Sequence, residues 1–189
     1  MNLEIGQGIT MGTYADDPIY WTVRDIDGAR ALLISDGPID CRKYNTEWRT
    51  ITWESCSLRK WLNGEFLDEA FTAEERGKIA STQNSNPANP RSGIGGGADT
   101  EDMIFCLSLD EALEYFPTDE ERICKPSTQH ASDRIWTWMQ NGASSWWLRT
   151  PGEQGWYASF VGATGKINYF GDKITEETIG VRLAMWVEL

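Results

Sequence analysis

The chain has 189 residues, enough for one domain with a full core and too few for two of ordinary size. With 29 acidic against 17 basic residues, a formal charge of -12 and no basic stripe, the composition excludes nucleic acid and anionic membrane surfaces as partners. Hydrophobic residues make up only 40%, yet ten residues are tryptophan, so a core of large rings is expected, each burying about 200 Å².

Residues 19–24 (IYWTVR) and 29–35 (ARALLIS) are β-rich runs on either side of Asp27-Gly28, a hairpin signal. Over 54–63 (ESCSLRKWLN) the period changes. Leu58, Trp61 and Leu62 share a helical face, and Asn63-Gly64 closes the helix. Residues 66–71 add a second apolar turn. Thr72-Ala73-Glu74-Glu75 is a capping box that opens a short helix through Ile79. Residues 81–100 (STQNSNPANPRSGIGGGADT) read as a long, flexible surface loop with Ile94 as its one large apolar residue. Its run Gly95-Gly96-Gly97 lacks the spacing and the following helix of a phosphate loop.

Residues 103–107 (MIFCL) read as a short strand. Ser108-Leu109-Asp110-Glu111 is a second capping box and opens a helix to Phe116, which Pro117 stops. Residues 118–142 read as irregular, with a helical turn near 119–123. From Trp146 the pattern is β. Strands are expected at 146–150, at 156–161 and 166–170 around the loop Gly162-Ala163-Thr164-Gly165, and at 181–187 (VRLAMWV). Segregated helices and mainly antiparallel strands define a single α+β domain spanning 1–189.

The four cysteines, Cys41, Cys56, Cys106 and Cys124, form no CxxC pair, and one histidine, His130, stands alone. No metal or cofactor is therefore expected. Cys41 and Cys106 read as small buried hydrophobes. The stretch MNLEIGQGIT carries no basic segment and no apolar run, so neither a signal peptide nor a membrane span is read, and a cytoplasmic setting with reduced thiols is expected.

Four pieces occur in one order: Trp61-Leu62-Asn63 with Phe66 downstream, the junction at 103–111, WWLRTPG at 146–152, and GVRLAMWVEL at 180–189. Together they resemble a bacterial and phage domain family of unknown function, with WWLRSPG and C-terminal GVRPALWL motifs, over nearly the whole chain from about Gly12. Thr150 stands where that family usually has Ser, and Leu183 where it usually has Pro. The tail is also similar to the end of formylglycine-generating-enzyme-like domains. That resemblance implies a C-type-lectin-like fold: small antiparallel sheets, two or three short helices and long irregular loops. It implies no activity. The copper-dependent members of that fold use cysteine near the C-terminal motif, and this chain has none after Cys124. The iron-dependent members use a histidine cluster, and this chain has one histidine.

Residue chemistry singles out few sites. A nucleophilic pair of His130 with Cys124 has no evident orienting carboxylate. Acidic pairs such as Glu74-Glu75, Glu120-Glu121 and Glu176-Glu177 read as solvated faces. Trp146 and Trp147 would fill both faces of one strand. Arg149 and Arg182, each in an apolar strand, read as buried ties satisfied by carboxylates or carbonyls. The hairpin at 156–170 carries aromatics on both faces, with Trp156, Ala158 and Phe160 alternating with Tyr157, Ser159 and Val161. Its rigid rings and adaptable polar groups suit recognition.

The expectation is a non-enzymatic module that binds a protein or glycan through Trp156, Tyr157, Ser159, Phe160, Asn168 and Tyr169, with the 83–99 loop at the rim and the oligomeric state open. Alternatives are an enzyme of the same fold with unrecognised chemistry and a structural component of a phage or surface assembly. If the resemblance extends to retroelement-diversified lectin-fold proteins, the variable positions would lie within 153–178.

Overall fold

The computed structural model describes residues 3–135 and 141–189. In chain order the strands begin with β1 (Gly8–Tyr14), β2 (Asp17–Asp27), β3 (Arg30–Ser35) and β4 (Asp40–Cys41). A 3-10 turn at Trp53–Ser55 leads into helices α1 (Ser57–Leu62), α2 (Glu65–Ala70) and α3 (Ala73–Arg76). Short strands β5 (Ile79–Ala80), β6 (Thr82–Asn84) and β7 (Thr100–Asp102) follow, then α4 (Leu109–Tyr115), α5 (Asp119–Arg122) and α6 (Gln129–Ile135). The C-terminal part holds β8 (Trp146–Pro151), β9 (Tyr157–Val161), β10 (Ile167–Lys173), β11 (Gly180–Val181) and β12 (Ala184–Glu188). Two five-stranded sheets, in the orders β1-β2-β3-β12-β5 and β10-β9-β8-β11-β4, and the two-stranded sheet β6-β7 make an α+β fold with a few short helices. Among the described residues, no helix is long and apolar enough to cross a membrane.

Local chemistry explains many of these elements. The β2–β3 pairing closes at Asp27↔Arg30 through Gly28, which sits at φ 60°. Capping boxes start α3 (Thr72 with Glu75), α4 (Ser108 with Glu111) and α5 (Thr118 with Glu121), each satisfying backbone donors at both ends of the box. Trp21, Trp53, Trp146 and Trp147 are among the largest wholly buried side chains. Each indole N–H finds an acceptor: Met11 O, the Asp102 carboxylate, Arg122 O and Arg42 O, respectively. A wholly buried indole needs such a partner, because its one donor has no water.

The structure corrects the sequence reading at several places. β1 was not expected. It returns into β2 through Ala15 and Asp16, both at positive φ (49° and 68°), a turn conformation usually marked by Asn-Gly or Asp-Gly. Helix α3 stops at Arg76, and Ile79 belongs to β5. Residues 103–107 form no strand and contribute only the bridge Phe105↔Ala184. Within 118–142, the helical turn expected near 119–123 is α5, whereas α6 was not expected, and 136–140 lies outside the described residues. The final run does not make one strand. β11 pairs in the second sheet and β12 in the first, so the chain crosses between sheets at Arg182 and Leu183. The 81–100 segment is not a free loop. It leaves and re-enters through paired β6 and β7, and Asn84, Asn86 and Asn89 are buried.

Candidate functional site

β8 is the base of the region. All six of its residues are buried. Arg149 donates to Cys106 O (3.0 Å), Ser85 O (2.9 Å), Asn86 Oδ1 (3.2 Å) and both Glu111 carboxylate oxygens, so one guanidinium joins β8, α4 and the start of the 84–100 segment. Arg182 is held differently and is satisfied only in part, because its buried Nη1 has no hydrogen-bond partner among the described residues. Its Nε donates to Ser35 O (3.0 Å), and its guanidinium lies over the rings of Phe116 (4.3 Å) and Trp146 (5.0 Å). Burial pushes its pKa down.

β9 and β10 form the outer hairpin of the second sheet, with β10 at the edge. The register runs Asn168↔Phe160 and then Asp172↔Ala158, so β10 carries a bulge at 169–171. The Asn168 side-chain oxygen accepts from the N–H groups of Phe170 (3.1 Å) and Gly171 (3.0 Å), which holds the bulge in place. Gly171 adopts φ 81°, and a Cβ there would lie 2.5 Å from Ala158 O, so only glycine fits. The bulge turns Phe170 outward, where it is 59% exposed.

One expected contact residue of β9 lies inside. Ser159, expected at the contact surface, is wholly buried, and its hydroxyl donates to Pro151 O (2.8 Å). It is part of the support and is withdrawn from the contact set. The other five residues fall into two groups. Trp156 and Tyr157 join Trp48, with ring centroids 6.3 Å and 6.2 Å from it; Trp48 is 51% and Trp156 36% exposed. Phe160, Asn168 and Tyr169 line a cleft of about 370 Å³ with Phe170, Lys166 and Arg91. Arg91, Tyr169 and Phe170 also line an adjoining cleft of about 300 Å³, which Glu153 borders.

Arg91 comes from the 84–100 segment, and the buried Asn89 explains how it is placed. The Asn89 amide donates to Pro151 O and Tyr169 O, each at 2.8 Å, and its oxygen accepts from Arg91 N (2.9 Å) and Ser92 N (3.2 Å). The segment is thereby pegged to the end of β8 and to the bulge of β10. Sequence reasoning missed Trp48 and Arg91. Trp48 had a signal: a tryptophan in the polar run Thr46–Thr50 has no apolar face to join. Arg91 had none, because its position depends on bonds between distant segments.

A second concentration of titratable groups surrounds Asp40, which is wholly buried. Its carboxylate accepts from Tyr14 (2.9 Å), Arg42 (2.8 Å), Arg134 (2.7 Å) and Cys41 N (2.7 Å), with His130 Nε2 at 3.1 Å. Five neighbours saturate its lone pairs, so Asp40 works as a strut that docks α6 against β4. His130 is thus held by Asp40, while Cys124 is bridged to Ser144. The four thiols are free and buried. Burial pushes Cys41 and Cys56 up to about 12 and raises Cys106 and Cys124 as well, which keeps them as unreactive thiols at neutral pH.

Residues 28–189 match a family model described as Domain of unknown function (DUF6273), and the chain belongs to that family. The matched span contains the hairpin, the Asn89 peg and Trp48. No curated protein and no solved structure matches the chain.

Proposed function

We propose that this member of the DUF6273 family is a non-enzymatic binding module that holds a protein or glycan on the face built from the β9–β10 hairpin, Trp48 and the 84–100 segment. The observation that carries this reading is the packing of the exposed Trp48 and Trp156 with the half-buried Tyr157, together with the cleft that Phe160, Asn168 and Tyr169 of the same hairpin line. Large rings packed on one another keep their geometry in the free protein, so binding loses little side-chain entropy. The surface is mounted on a wholly buried strand and pegged by Asn89, which is how a scaffold supports recognition on a loop.

The finer fold reading, a C-type-lectin-like domain of bacterial or phage origin, is part of the same proposal. Small sheets, short helices and a long but anchored irregular segment support it. So does the placement of the aromatic face on the C-terminal hairpin, within the 153–178 span that retroelement diversification would vary. Such a module would work in the cytoplasm or on a phage particle.

The test is parallel screening of the purified protein and its Trp48→Ala/Trp156→Ala variant on a glycan array and a displayed-peptide library. The parent retains ligands, the variant binds them at least tenfold more weakly, and the two melting temperatures agree within about 2 °C, as for surface changes. Equal binding by the variant, or no ligand for the parent, overturns the proposal. A large fall in melting temperature would instead assign the two rings to the core.

A further inference from the structure

We infer that the cleft beside β10 is a carboxylate subsite for an acidic saccharide, with Arg91 as its anion fork. The inference rests on the binding-module reading and adds the chemical class of the ligand. Arg91 is fixed at two points. Its backbone N–H is held by Asn89 Oδ1 (2.9 Å), and its guanidinium lies 3.8 Å over the centroid of the Tyr169 ring. Among the described residues, no hydrogen bond or ion pair engages that guanidinium, although the chain carries an excess of carboxylates. Arg42, Arg59, Arg122, Arg134 and Arg149 all meet an Asp or Glu. Arg91 instead presents a flat, stacked group whose edge donors are free, and that group is the bidentate match for a carboxylate. Because the stack restricts the side chain before any ligand arrives, little rotamer freedom is left to lose on binding.

The charge distribution narrows the ligand further. Lys166 lines the same cleft and adds a second positive charge, while Glu153 borders only the adjoining cleft. An anionic group is thus favoured between Arg91 and Lys166 and disfavoured beside Glu153. The overall charge of -12 repels polyanions at long range, so the fit is to one carboxylate rather than to a highly charged polymer.

Two observations favour a saccharide over a peptide. A cleft of about 370 Å³ is at the small end of ligand sites, and the exposed Phe170 ring beside the Arg91–Tyr169 stack gives a sugar a face to stack on. The peptide route on an edge strand is β-augmentation, and the 169–171 bulge interrupts the ladder that such a peptide would extend.

The test uses glucuronate, galacturonate and N-acetylneuraminate, each against its uncharged methyl ester, in NMR titrations of the intact protein. A peptide with a free C-terminus and its amidated counterpart run beside them. At least one sugar acid should shift the Arg91 Nε–Hε and Tyr169 signals and bind tenfold or more tightly than its ester. Arg91→Gln should remove that preference without changing the melting temperature, and added salt should weaken it. If acid and ester bind equally, or Arg91→Gln keeps the preference, the carboxylate subsite is overturned while the binding-module reading stands. Binding of the free peptide with no sugar acid bound overturns the saccharide assignment. If no probe binds, the whole inference falls, and the array and library screens judge the module reading independently.

Discussion

Arg149 sends its guanidinium from β8 toward α4, where Glu111 and two backbone carbonyls take it up. Glu111 has a second duty, since its carboxylate also accepts from Ser108 N (2.8 Å) in the capping box of α4. Arg91 is the opposite case: pegged, stacked and with its fork unengaged. What separates the two arginines is the number of acceptors within reach, and burial sets how costly an error would be. Replacing Arg149 with Met leaves Glu111 without its main cation and removes the donor from the buried Cys106 carbonyl and from the more exposed Ser85 carbonyl. A loss of about 3 kcal/mol is expected, read as a lower midpoint in urea denaturation. Adding Glu111→Gln to Arg149→Met should recover part of that loss, because the uncompensated charge is gone, and a double-mutant cycle would measure the coupling. Additive costs would show that the pair contributes no coupling.

The elements were legible where local chemistry specifies them. Asp27-Gly28 marks the β2–β3 hairpin, and the Thr72 and Ser108 capping boxes mark α3 and α4. They were not legible where long-range bonds decide. The turn at Ala15 and Asp16 has no glycine to announce it. The split of 180–188 between two sheets depends on partners more than a hundred residues away, such as Ala184↔Ile34. In the hairpin the aromatic composition was readable, but neither the bulge that brings Phe170 out nor the bond from Ser159 to Pro151 O that holds the serine inside was. The 84–100 segment has the composition of a loop and the bonding of a fixed element, because buried asparagines replace the apolar anchors it lacks. Asn89→Ala tests this. The half-buried Tyr169 O would lose its main donor and the buried Pro151 O would keep only Ser159, at about 1 kcal/mol in total. Hydrogen exchange at residues 91–94 should accelerate well beyond that of β8, and the Arg91–Tyr169 contact should be lost from the NMR spectrum. Unchanged exchange in 91–94 would show that other bonds hold the segment.

At the scale of the whole molecule, the two sheets share one aromatic interior, and the chain ties them by crossing from β11 to β12. The thiols report on that interior. Cys56 caps α1 and accepts from Arg59 N, Cys41 lies in β4, and Cys106 and Cys124 are buried between elements. Burial lifts Cys41 and Cys56 from an ordinary value near 9 to about 12, and the same cause raises Tyr14 and Tyr44. A group whose folded pKa lies above its unfolded pKa keeps its full contribution to stability below the unfolded value. It loses that contribution as pH rises toward the folded one. The unfolded chain therefore releases protons from about pH 9 upward while the folded chain retains them, and each such thiol weakens folding by about 1.4 kcal/mol per pH unit across that window. Urea midpoints should consequently be insensitive to these groups up to about pH 8.5 and should fall steeply between pH 9 and 11. Cys41→Ala with Cys56→Ala should flatten the fall even if it lowers stability at neutral pH, because slope and offset are measured separately. An unaltered slope in that variant would move the alkaline sensitivity onto Cys106, Cys124 and the tyrosines. At neutral pH a thiol reagent should label the native protein only as fast as the interior opens, with labelling rates rising in proportion to the unfolded fraction as urea is added.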